Sequence, residues 1–296
     1  MIPSVPKISV TAFGLSDVGR VRKNNEDNFL FTQVGSGLIN AVPAQPVDSD
    51  CWLFIVADGM GGGQAGEVAS QMTVELVAQN FADHRSGKQS FDANLFAKDL
   101  VRAVDKTNQT VFHESQAKKE LRGMGTTLTA AAVTGKTITV AQLGDSRAYL
   151  LRAGRITQLT KDQSLVAQMV AAGKITEEEA KTHPRRNVIL QAVGVQSRVE
   201  VAIANADLMR DDCLILCSDG LWGKVESEEI QDYTTRFDPQ TACENLVQLA
   251  NQRGGEDNVT LIIAKISGDG LPIAGKDDLF TSPRANKPRR WWMFWR

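Results

Sequence analysis

Two apolar stretches of the 296-residue chain each end in an Asp-Gly pair. Residues 52–57 read Trp-Leu-Phe-Ile-Val-Ala and lead into Asp58, and residues 213–217 read Cys-Leu-Ile-Leu-Cys and lead through a serine into Asp219. Apolar runs of this length predict buried strands, so each aspartate is expected at a strand end beside a tight turn. A buried carboxylate is costly unless it is paired or binds a metal, so the two sites together indicate a cation.

Three further acidic positions lie beside predicted strands. Glu26 and Asp27 precede one strand-like run, Asp257 precedes another, and Asp145 separates two more. Any one of these aspartates alone is better explained as a turn residue that hydrogen-bonds its own backbone. Five acidic positions at strand edges, in this order, instead indicate carboxylates that gather around metal ions.

The composition excludes several classes of protein. Hydrophobic residues make up 42% of the chain and charged residues 23%, as in an ordinary globular protein. A formal net charge of −2 provides no basic field, which argues against a nucleic-acid binder. The four cysteines form no C-x-x-C pair and are expected in the core of a protein from a reducing compartment. No segment resembles a signal peptide or a membrane span, so we expect a cytoplasmic protein.

Patterning predicts many antiparallel strands and a few long helices. The expected strands are 8–16, 28–33, 51–57, 127–133, 137–143, 147–151, 199–203, 213–217 and 259–266. The expected helices are 65–81, 92–116, 163–172, 227–233 and 239–252, the last with Asp238 as its N-cap and Pro239 in its first turn. Such a set predicts an α+β fold in which stacked sheets are covered by helices.

Six short motifs follow one another along the chain. They are Arg22 to Asp27, Asp58-Gly59-Met60-Gly61-Gly62, Gly123-Met124-Gly125-Thr126-Thr127, Gly144-Asp145-Ser146-Arg147, Ser218-Asp219-Gly220 and Asp257-Asn258. In this order they resemble the metal-dependent serine/threonine protein phosphatases of type 2C, in their bacterial form. The resemblance covers roughly residues 8–267. It implies a four-layer α-β-β-α sandwich, with two mainly antiparallel sheets flanked by helices, and a catalytic domain over residues 1–268.

The resemblance also implies an activity. Such enzymes hydrolyse phosphoserine and phosphothreonine in proteins, through a water or hydroxide that bridges two metal ions. Carboxylate and carbonyl ligands suit Mn²⁺ or Mg²⁺, and the lack of clustered Cys or His argues against zinc. We therefore expect phosphoproteins made by a serine/threonine kinase as partners, and a monomeric enzyme.

The resemblance assigns roles to the acidic residues at matching positions. Asp58 is expected to bridge both ions. The Gly59 carbonyl and a carboxylate of the Glu26-Asp27 pair complete the second ion, and Asp27 is favoured over Glu26. Asp219 and Asp257 hold the first ion. Asp145, together with Asp219, matches a third and more exchangeable metal position.

Two polar residues are expected to handle the substrate and the water. Arg22 matches the phosphate-binding arginine of the family, because its guanidinium fork fits two phosphoryl oxygens. Arg20 is the competing candidate for this role. Asn258 is expected to orient a metal-bound water.

The chain departs from the family at the proton donor. Many members carry a histidine in or after the Asp-Gly-x-Gly-Gly turn, where this chain has Met60 and Gly63. The best substitute among the three histidines is His183, within the segment 173–197 that resembles the family's mobile flap. A metal-bound water is the alternative proton donor.

The C-terminal residues 269–296 are expected to form a tail outside the catalytic domain. Three of the five tryptophans lie in the last six residues, next to Arg289, Arg290 and Arg296. Basic residues beside Trp and Phe favour a membrane interface, so residues 287–296 are expected to contact the inner face of the membrane. An equally weighted interpretation is that the tail folds back into a groove of the catalytic domain.

The sequence disfavours three other functions. A P-loop nucleotide hydrolase fails because Ala130 occupies the first glycine position of the near match that ends at residues 135–137. A metal-dependent nuclease shares the two-metal chemistry but would need a basic face. A catalytically weak member of the same fold, acting as a phosphoprotein-binding or regulatory module, would be expected to have lost acidic ligands that this chain retains.

Overall fold

The computed structural model describes residues 8–34, 36, 39–40, 51–61, 64–85 and 93–275. Its strands, in chain order, are β1 (Ser9–Asp17), β2 (Asp27–Gln33), β3 (Cys51–Met60), β4 (Gly125–Thr126), β5 (Leu128–Thr134), β6 (Thr137–Leu143), β7 (Arg147–Arg152), β8 (Arg155–Gln158), β9 (Ala202–Asp207), β10 (Asp212–Cys217) and β11 (Val259–Ser267). Its helices are α1 (Ala65–Arg85), α2 (Ala93–Ala117), α3 (Leu165–Ala171), α4 (Glu177–Thr182), α5 (Asp219–Trp222), α6 (Ser227–Arg236) and α7 (Pro239–Gln252). Of the expected tail, residues 269–275 are described, with Leu271 buried, and residues 276–296 lie outside the described residues.

The strands form two antiparallel sheets. The first sheet has the order β1-β11-β10-β7-β8, and the second has the order β2-β3-β5-β6-β9 with β4 paired to the end of β3. Helices α1 and α2 cover the second sheet, and α5, α6 and α7 cover the first. The four-layer α-β-β-α arrangement is therefore confirmed.

Three apolar clusters hold the four layers together. The side chains that face between the sheets, such as Phe54, Leu214 and Ile262, form one cluster. Alternate residues on the same strands point the other way, into clusters under each helical layer, as Ile55 and Ile215 do. Because both faces of the central strands are buried, these strands read as continuous apolar runs rather than alternating ones.

The structure corrects several predicted element bounds. Strand β3 does not end before the acidic turn but continues through Met60, because β4 pairs with Gly59 and Met60. Asp219 does not lie in a turn; it is the first residue of helix α5. The strand predicted at 199–203 lies at Ala202–Asp207, and the short elements β8, α4 and α5 had no predicted counterpart. Within the described residues, no helix is both long and apolar enough to cross a bilayer.

Candidate metal centre

Two aspartates from neighbouring strands of the second sheet face each other. Asp27 begins β2 and is the cross-strand partner of Asp58 near the end of β3. Paired residues in an antiparallel ladder hold their Cβ atoms roughly 4.5–5.5 Å apart, so the two carboxylates share one side of the sheet. Asp27 is buried and Asp58 half-buried. The second sheet therefore contributes a pair of like charges.

The other three aspartates come from loops at the same end of the sandwich. Asp145 lies between β6 of the second sheet and β7 of the first, Asp219 follows β10, and Asp257 precedes β11. Asp219 lies close enough to Asp58 for its charge to raise the pKa of Asp58, so the centre draws on both sheets. The structure thus brings together Asp27, Asp58, Asp145, Asp219 and Asp257, as the sequence predicted.

Burial and mutual repulsion perturb the titration of these carboxyls. Burial raises the pKa of Asp58 well above its ordinary value, and the four neighbouring aspartates raise it further. Burial likewise raises the pKa of Asp27 to about 7 and that of Asp145 to about 7. For Asp219, burial and then the charge of Asp257 raise the pKa to about 6. Groups held in this way favour either protons or a cation among them.

Two buried oxygen atoms support the cation. The Oδ1 atoms of Asp145 and Asp219 are fully shielded from solvent and have no hydrogen-bond partner. Buried polar atoms are normally satisfied, so unpartnered carboxylate oxygens fit ligands that await a metal. Within the described ranges, no three Asp, Glu, His or Cys side chains converge into a ready cage for one ion.

Gly59 is required where β2, β3 and the start of α1 meet. A Cβ atom at this position would collide with the carbonyl oxygens of Glu26 and Gly66. The Gly59 N–H donates to the Glu26 carbonyl at 3.1 Å. Glycine therefore lets the chain carry the Asp58-Gly59 peptide close to its neighbours, and the predicted role of the Gly59 carbonyl as a ligand stays a prediction.

Buried hydroxyls hold Asp27, and sequence reasoning missed them. Ser218 Oγ donates to Asp27 Oδ2 at 2.7 Å, and the Thr260 hydroxyl also donates to this carboxyl. Ser16 Oγ contacts Thr260 Oγ1 at 2.7 Å and extends the chain of hydroxyls. Thr260 belongs to β11 of the first sheet and Ser218 directly follows β10, whereas Asp27 belongs to the second sheet. Ser218 adjoins the Asp219 motif, and that proximity is the signal that could have identified it.

Glu26 points away from its acidic neighbour. A Cβ atom at Gly66, in the first turn of α1, would lie 2.7 Å from Glu26 Oε2, so this carboxylate faces the positive end of the helix. Burial raises the pKa of Glu26. The structure therefore separates the Glu26-Asp27 pair, and Asp27 is the member that lies beside Asp58.

Arg22 contacts the carboxylate cluster at its solvent-facing side. Its Nη2 donates to Asp257 Oδ2 at 2.8 Å, and 52% of its side chain is exposed. This hydrogen bond raises the pKa of Arg22. Arg20, the competing candidate, donates its backbone N–H to the Gly255 carbonyl at 2.7 Å. Arg22 is thus the arginine whose guanidinium faces the carboxylates.

A cavity of about 170 Å³ opens beside Arg22. Its lining consists of Arg22, Lys23, Asn24, Glu26 and Asn258. Two cations and two amides line this open cleft beside the Glu26 carboxylate, and the cationic side suits an anionic group that approaches from solvent. The cavity therefore gives a phosphoryl group access to Arg22, whose guanidinium also contacts Asp257.

Asn258 uses its amide to hold the backbone. Its Oδ1 accepts from the Glu26 N–H at 2.8 Å, and its Nδ2 donates to the carbonyls of Val18 at 2.9 Å and Asn24 at 3.0 Å. These bonds fix the loop that carries Arg22 and the start of β2. Both donor hydrogens are used, so an interaction with water would rely on the remaining lone pair of Oδ1. The predicted role in orienting water stays a prediction.

His183 lies at the C-terminal end of α4, and its contact is local. Its Nδ1 accepts from the Arg185 N–H at 3.1 Å, which leaves Nε2 as the nitrogen that could carry a proton to a substrate. The base of the flap is bound to the centre, because Thr126 and Val193 exchange backbone hydrogen bonds of 3.1 and 2.9 Å. The role of His183 stays a prediction, and Gly63 lies outside the described residues.

A clamp of side chains fixes the backbone of Asp145. Trp222 Nε1 donates to the Asp145 carbonyl at 3.0 Å. The Arg147 guanidinium stacks on the Trp222 ring at 3.7 Å and binds Asp162 through Nε at 3.0 Å and Nη2 at 2.7 Å. Because these groups are held on both sides, the Asp145 loop has a fixed position relative to α5.

Comparison with known proteins matches this geometry. The family model described as protein phosphatase 2C matches residues 44–252. The chain belongs to the protein phosphatase 2C family. A relative in this family, the serine/threonine phosphatase stp of Listeria welshimeri, is 36% identical over 251 residues, which cover 84% of this chain and 93% of that protein.

Solved structures of the family share the fold. The crystal structure of the Mycobacterium tuberculosis serine/threonine phosphatase PstP/Ppp has a TM-score of 0.73 and 35% identity, and the match covers 88% of this chain and 99% of that one. The catalytic domain of PstP in complex with two manganese ions has a TM-score of 0.72 and 33% identity, over 88% of this chain and 99% of that one. These likenesses confirm the resemblance that the six motifs indicated.

Proposed function

We propose that this chain is a metal-dependent protein phosphatase that removes phosphate from phosphoserine and phosphothreonine in proteins. The observation that carries the proposal is the set of five aspartates from both sheets, two of which have buried and unpartnered oxygen atoms. Membership of the protein phosphatase 2C family supports the same conclusion.

The aspartates would hold two Mn²⁺ or Mg²⁺ ions, as the related PstP domain holds two manganese ions. Asp58 would contact both ions. Asp27 and the Gly59 carbonyl would be the other ligands of one ion, and Asp219 and Asp257 would be the other ligands of the second ion. When bound, such ions neutralise phosphoryl oxygens and activate a water near neutral pH. Asp145, with its free buried Oδ1, would hold a third and weaker ion together with Asp219.

The remaining chemistry falls to side chains around the cavity. The Arg22 guanidinium, half exposed at the rim, would bind two phosphoryl oxygens and orient the ester. Ser218 and Thr260 keep Asp27 in place by donating hydrogen bonds to its carboxylate. His183 would donate a proton to the departing serine or threonine oxygen, from its Nε2 atom.

Retention of every acidic position disfavours the alternative function. A phosphoprotein-binding module without catalysis has no need for five aspartates at one end of the sandwich, four of which have pKa values raised by their burial. Such a module would bind phosphopeptides and release no phosphate, so the two functions differ in a single measurement.

The experiment is hydrolysis of phosphoserine, phosphothreonine and phosphotyrosine peptides by the purified chain, with Mn²⁺ and with EDTA. We expect phosphate release from the serine and threonine peptides in Mn²⁺ and none in EDTA. Asp257→Asn should lose this activity, whereas Asp105→Asn, which changes a half-buried aspartate on α2, should retain it. Peptide binding without phosphate release in Mn²⁺ would establish the binding-module function instead.

We further propose a division of labour along the chain. Residues 1–268 would form the monomeric catalytic domain in the cytoplasm, and residues 269–296 a tail. The pattern of Arg289, Arg290 and Arg296 around three tryptophans supports contact of residues 287–296 with an anionic membrane surface.

A further inference from the structure

Asp58 is held through its backbone by two threonines of the Gly-Met-Gly-Thr-Thr motif. Thr127 N–H donates to the Asp58 carbonyl at 2.9 Å, and Thr126 Oγ1 donates to the same carbonyl at 2.9 Å. The Asp58 N–H donates to Thr127 Oγ1 at 2.9 Å. Both polar groups of the Asp58 backbone are therefore satisfied by this pair.

The acceptor of the Asp58 N–H is unusual for a sheet. Residues that face each other in a hydrogen-bonded antiparallel pair exchange two N–H···O=C bonds. Here the bond from Thr127 N–H is present, but the return bond ends on the Thr127 hydroxyl rather than on its carbonyl. The side chain thus replaces a backbone acceptor at the one position of β3 that carries the bridging carboxylate.

The same hydroxyl reaches the loop that carries Asp145. Thr127 Oγ1 and Ser146 Oγ lie 2.6 Å apart, and both residues are fully buried. A Cβ atom at Gly144, whose φ is +95°, would lie 2.7 Å from Thr127 Cγ2, so the loop packs directly on this side chain. Asp145 sits between these two contacts.

We propose that Thr127 is a positioning residue that fixes Asp58 and, through Ser146, sets the distance from Asp58 to Asp145. The inference deepens the proposed function, on which it rests, because it concerns how the chain presents its carboxylates to metal ions. The Thr127 hydroxyl accepts the Asp58 N–H and shares a second hydrogen bond with Ser146. A valine of the same shape would leave the buried Asp58 N–H without a partner and cut the link to Ser146.

The test compares Thr127→Val with Thr127→Ser, which restores the hydroxyl. Thr127→Val should weaken Mn²⁺ binding, measured by calorimetry and by electron paramagnetic resonance, by about tenfold or more, the usual effect of losing a group that orients a ligand. Thr127→Ser should stay within about threefold of the wild type, since it keeps the hydroxyl that orients the ligand. Thr139→Val is the matched control, because Thr139 is equally buried on β6 but bonds Asn205 Oδ1 at 2.8 Å.

A second readout needs no metal. Hydrogen exchange of the Asp58 amide, followed in EDTA, should be faster in Thr127→Val than in the wild type and unchanged in Thr139→Val. Wild-type Mn²⁺ affinity together with unchanged Asp58 exchange in Thr127→Val overturns the inference. That outcome would leave the proposed phosphatase function intact. The proposed function fails only if the wild type lacks Mn²⁺-dependent hydrolysis.

Ser146→Ala keeps the inference testable if Thr127→Val does not fold. This variant preserves the acceptor of the Asp58 N–H and removes only the link to the Asp145 loop. We expect the tighter Mn²⁺ ions to bind normally and the weakest one to be lost. Retention of the full wild-type Mn²⁺ stoichiometry in Ser146→Ala rejects the coupling between Asp58 and Asp145.

Discussion

At the scale of single residues, the aspartates of the candidate metal centre lower the stability of the folded state when no cation is bound. Burial and mutual repulsion raise the pKa of Asp58 and bring those of Asp27 and Asp145 to about 7. A change of one pKa unit corresponds to about 1.4 kcal/mol, so each ionised carboxylate in this cluster opposes folding unless a cation compensates it. Without a cation, the cluster therefore lowers the stability of the folded protein.

Asp58→Asn should separate these two effects. Loss of the carboxylate proposed to contact both ions should abolish Mn²⁺-dependent hydrolysis, while loss of its charge should stabilise the protein in EDTA by about 1 kcal/mol or more. Phosphate release and thermal unfolding in EDTA are the two measurements. A variant that keeps its activity, or that unfolds at a lower temperature than the wild type in EDTA, contradicts the prediction.

Arg22 and Asp257 contact each other, but their substitution by alanine should impair different properties, namely turnover and Mn²⁺ binding. Arg22→Ala removes a group expected to bind phosphate, so turnover should fall by about tenfold or more while the Mn²⁺ dissociation constant stays near that of the wild type. Asp257→Ala should weaken Mn²⁺ binding itself. The measurements are kcat/KM and Mn²⁺ titration of both variants. Equal loss of Mn²⁺ affinity in the two would assign Arg22 a purely structural role.

His183 is tested by the leaving group. If its Nε2 donates a proton, His183→Ala should slow hydrolysis of a phosphoserine peptide by about 100-fold, because the serine alkoxide is a poor leaving group. An aryl phosphate, whose phenolate leaves without help, should be slowed far less. The ratio of the two rates in variant and wild type is the measurement. Equal slowing of both substrates would mean that His183 supports the packing of the flap.

At the scale of elements, the centre is built where the ends of two sheets meet. The second sheet supplies Asp27 and Asp58, and the loops after β6 and β10 and before β11 supply the others. The hydroxyls of Thr260, on β11, and of Ser218, directly after β10, donate hydrogen bonds to Asp27 on the second sheet. The relative position of the sheets therefore decides whether the carboxylates converge.

Long elements could be predicted from the sequence, and short ones could not. Helix α7 was predicted with its bounds and its cap, because Asp238 accepts from the N–H groups of Gln240 and Thr241 as its position suggests. Helices α4 and α5 have six and four residues, too few to show a periodic pattern. Strand β3 was predicted too short because its extension depends on pairing with β4, which is distant in sequence.

The site followed the same division. The five aspartates could be predicted because each stands beside an apolar run in a recurring motif. The hydroxyl contacts of Thr127 and Thr260 could not, since a threonine in or beside a strand is ordinary sheet composition until its partner is known, whereas the place of Ser218 next to Asp219 was a signal. The direction of Glu26, towards α1 rather than towards Asp58, also depends on tertiary packing.

The raised pKa values of the clustered aspartates predict how the stability of the metal-free protein depends on pH. The folded pKa values of Asp27 and Asp145 are about 7 and that of Asp219 is about 6, above the ordinary value near 3.8. Raised values favour the folded state at low pH, and this contribution is lost as pH rises through 6 and 7. In EDTA the protein should therefore be less stable at pH 8 than at pH 5, by about 3 kcal/mol or more.

Thermal unfolding across this range, with and without Mn²⁺, is the measurement. Carboxyls with lowered pKa values, such as those of Glu229 and Asp238, act in the opposite direction only below about pH 4.5, outside the window. Mn²⁺ should remove most of the loss at pH 8, because the cation replaces the protons. A metal-free protein that is as stable at pH 8 as at pH 5 would mean that the carboxylates do not repel each other as described.

At the scale of the whole molecule, charge and aromatic content are distributed unevenly. The chain carries a net charge of −2, yet its last ten residues contain one lysine, three arginines and three tryptophans.

 The cationic side chains of this segment are those of Lys287, Arg289, Arg290 and Arg296. A segment of this kind is attracted to anionic lipid and can place its indole rings among the headgroups. The catalytic centre would then work close to a membrane surface while its own domain stays in water.

Removal of residues 287–296 tests this placement. The full chain should sediment with vesicles that contain anionic lipid, and the truncated chain should not, while turnover of a small aryl phosphate stays unchanged because the carboxylates and Arg22 are intact. Replacing Trp291, Trp292 and Trp295 with alanine should weaken vesicle binding even though all the cationic groups remain, because indole burial contributes to binding beside the electrostatic attraction. Binding of the full chain should also weaken as salt is raised, since screening reduces the attraction of the arginines to the lipid. The competing interpretation gives the opposite pattern: the full chain does not bind vesicles, and truncation lowers its melting temperature because the tail occupies a groove of its own domain.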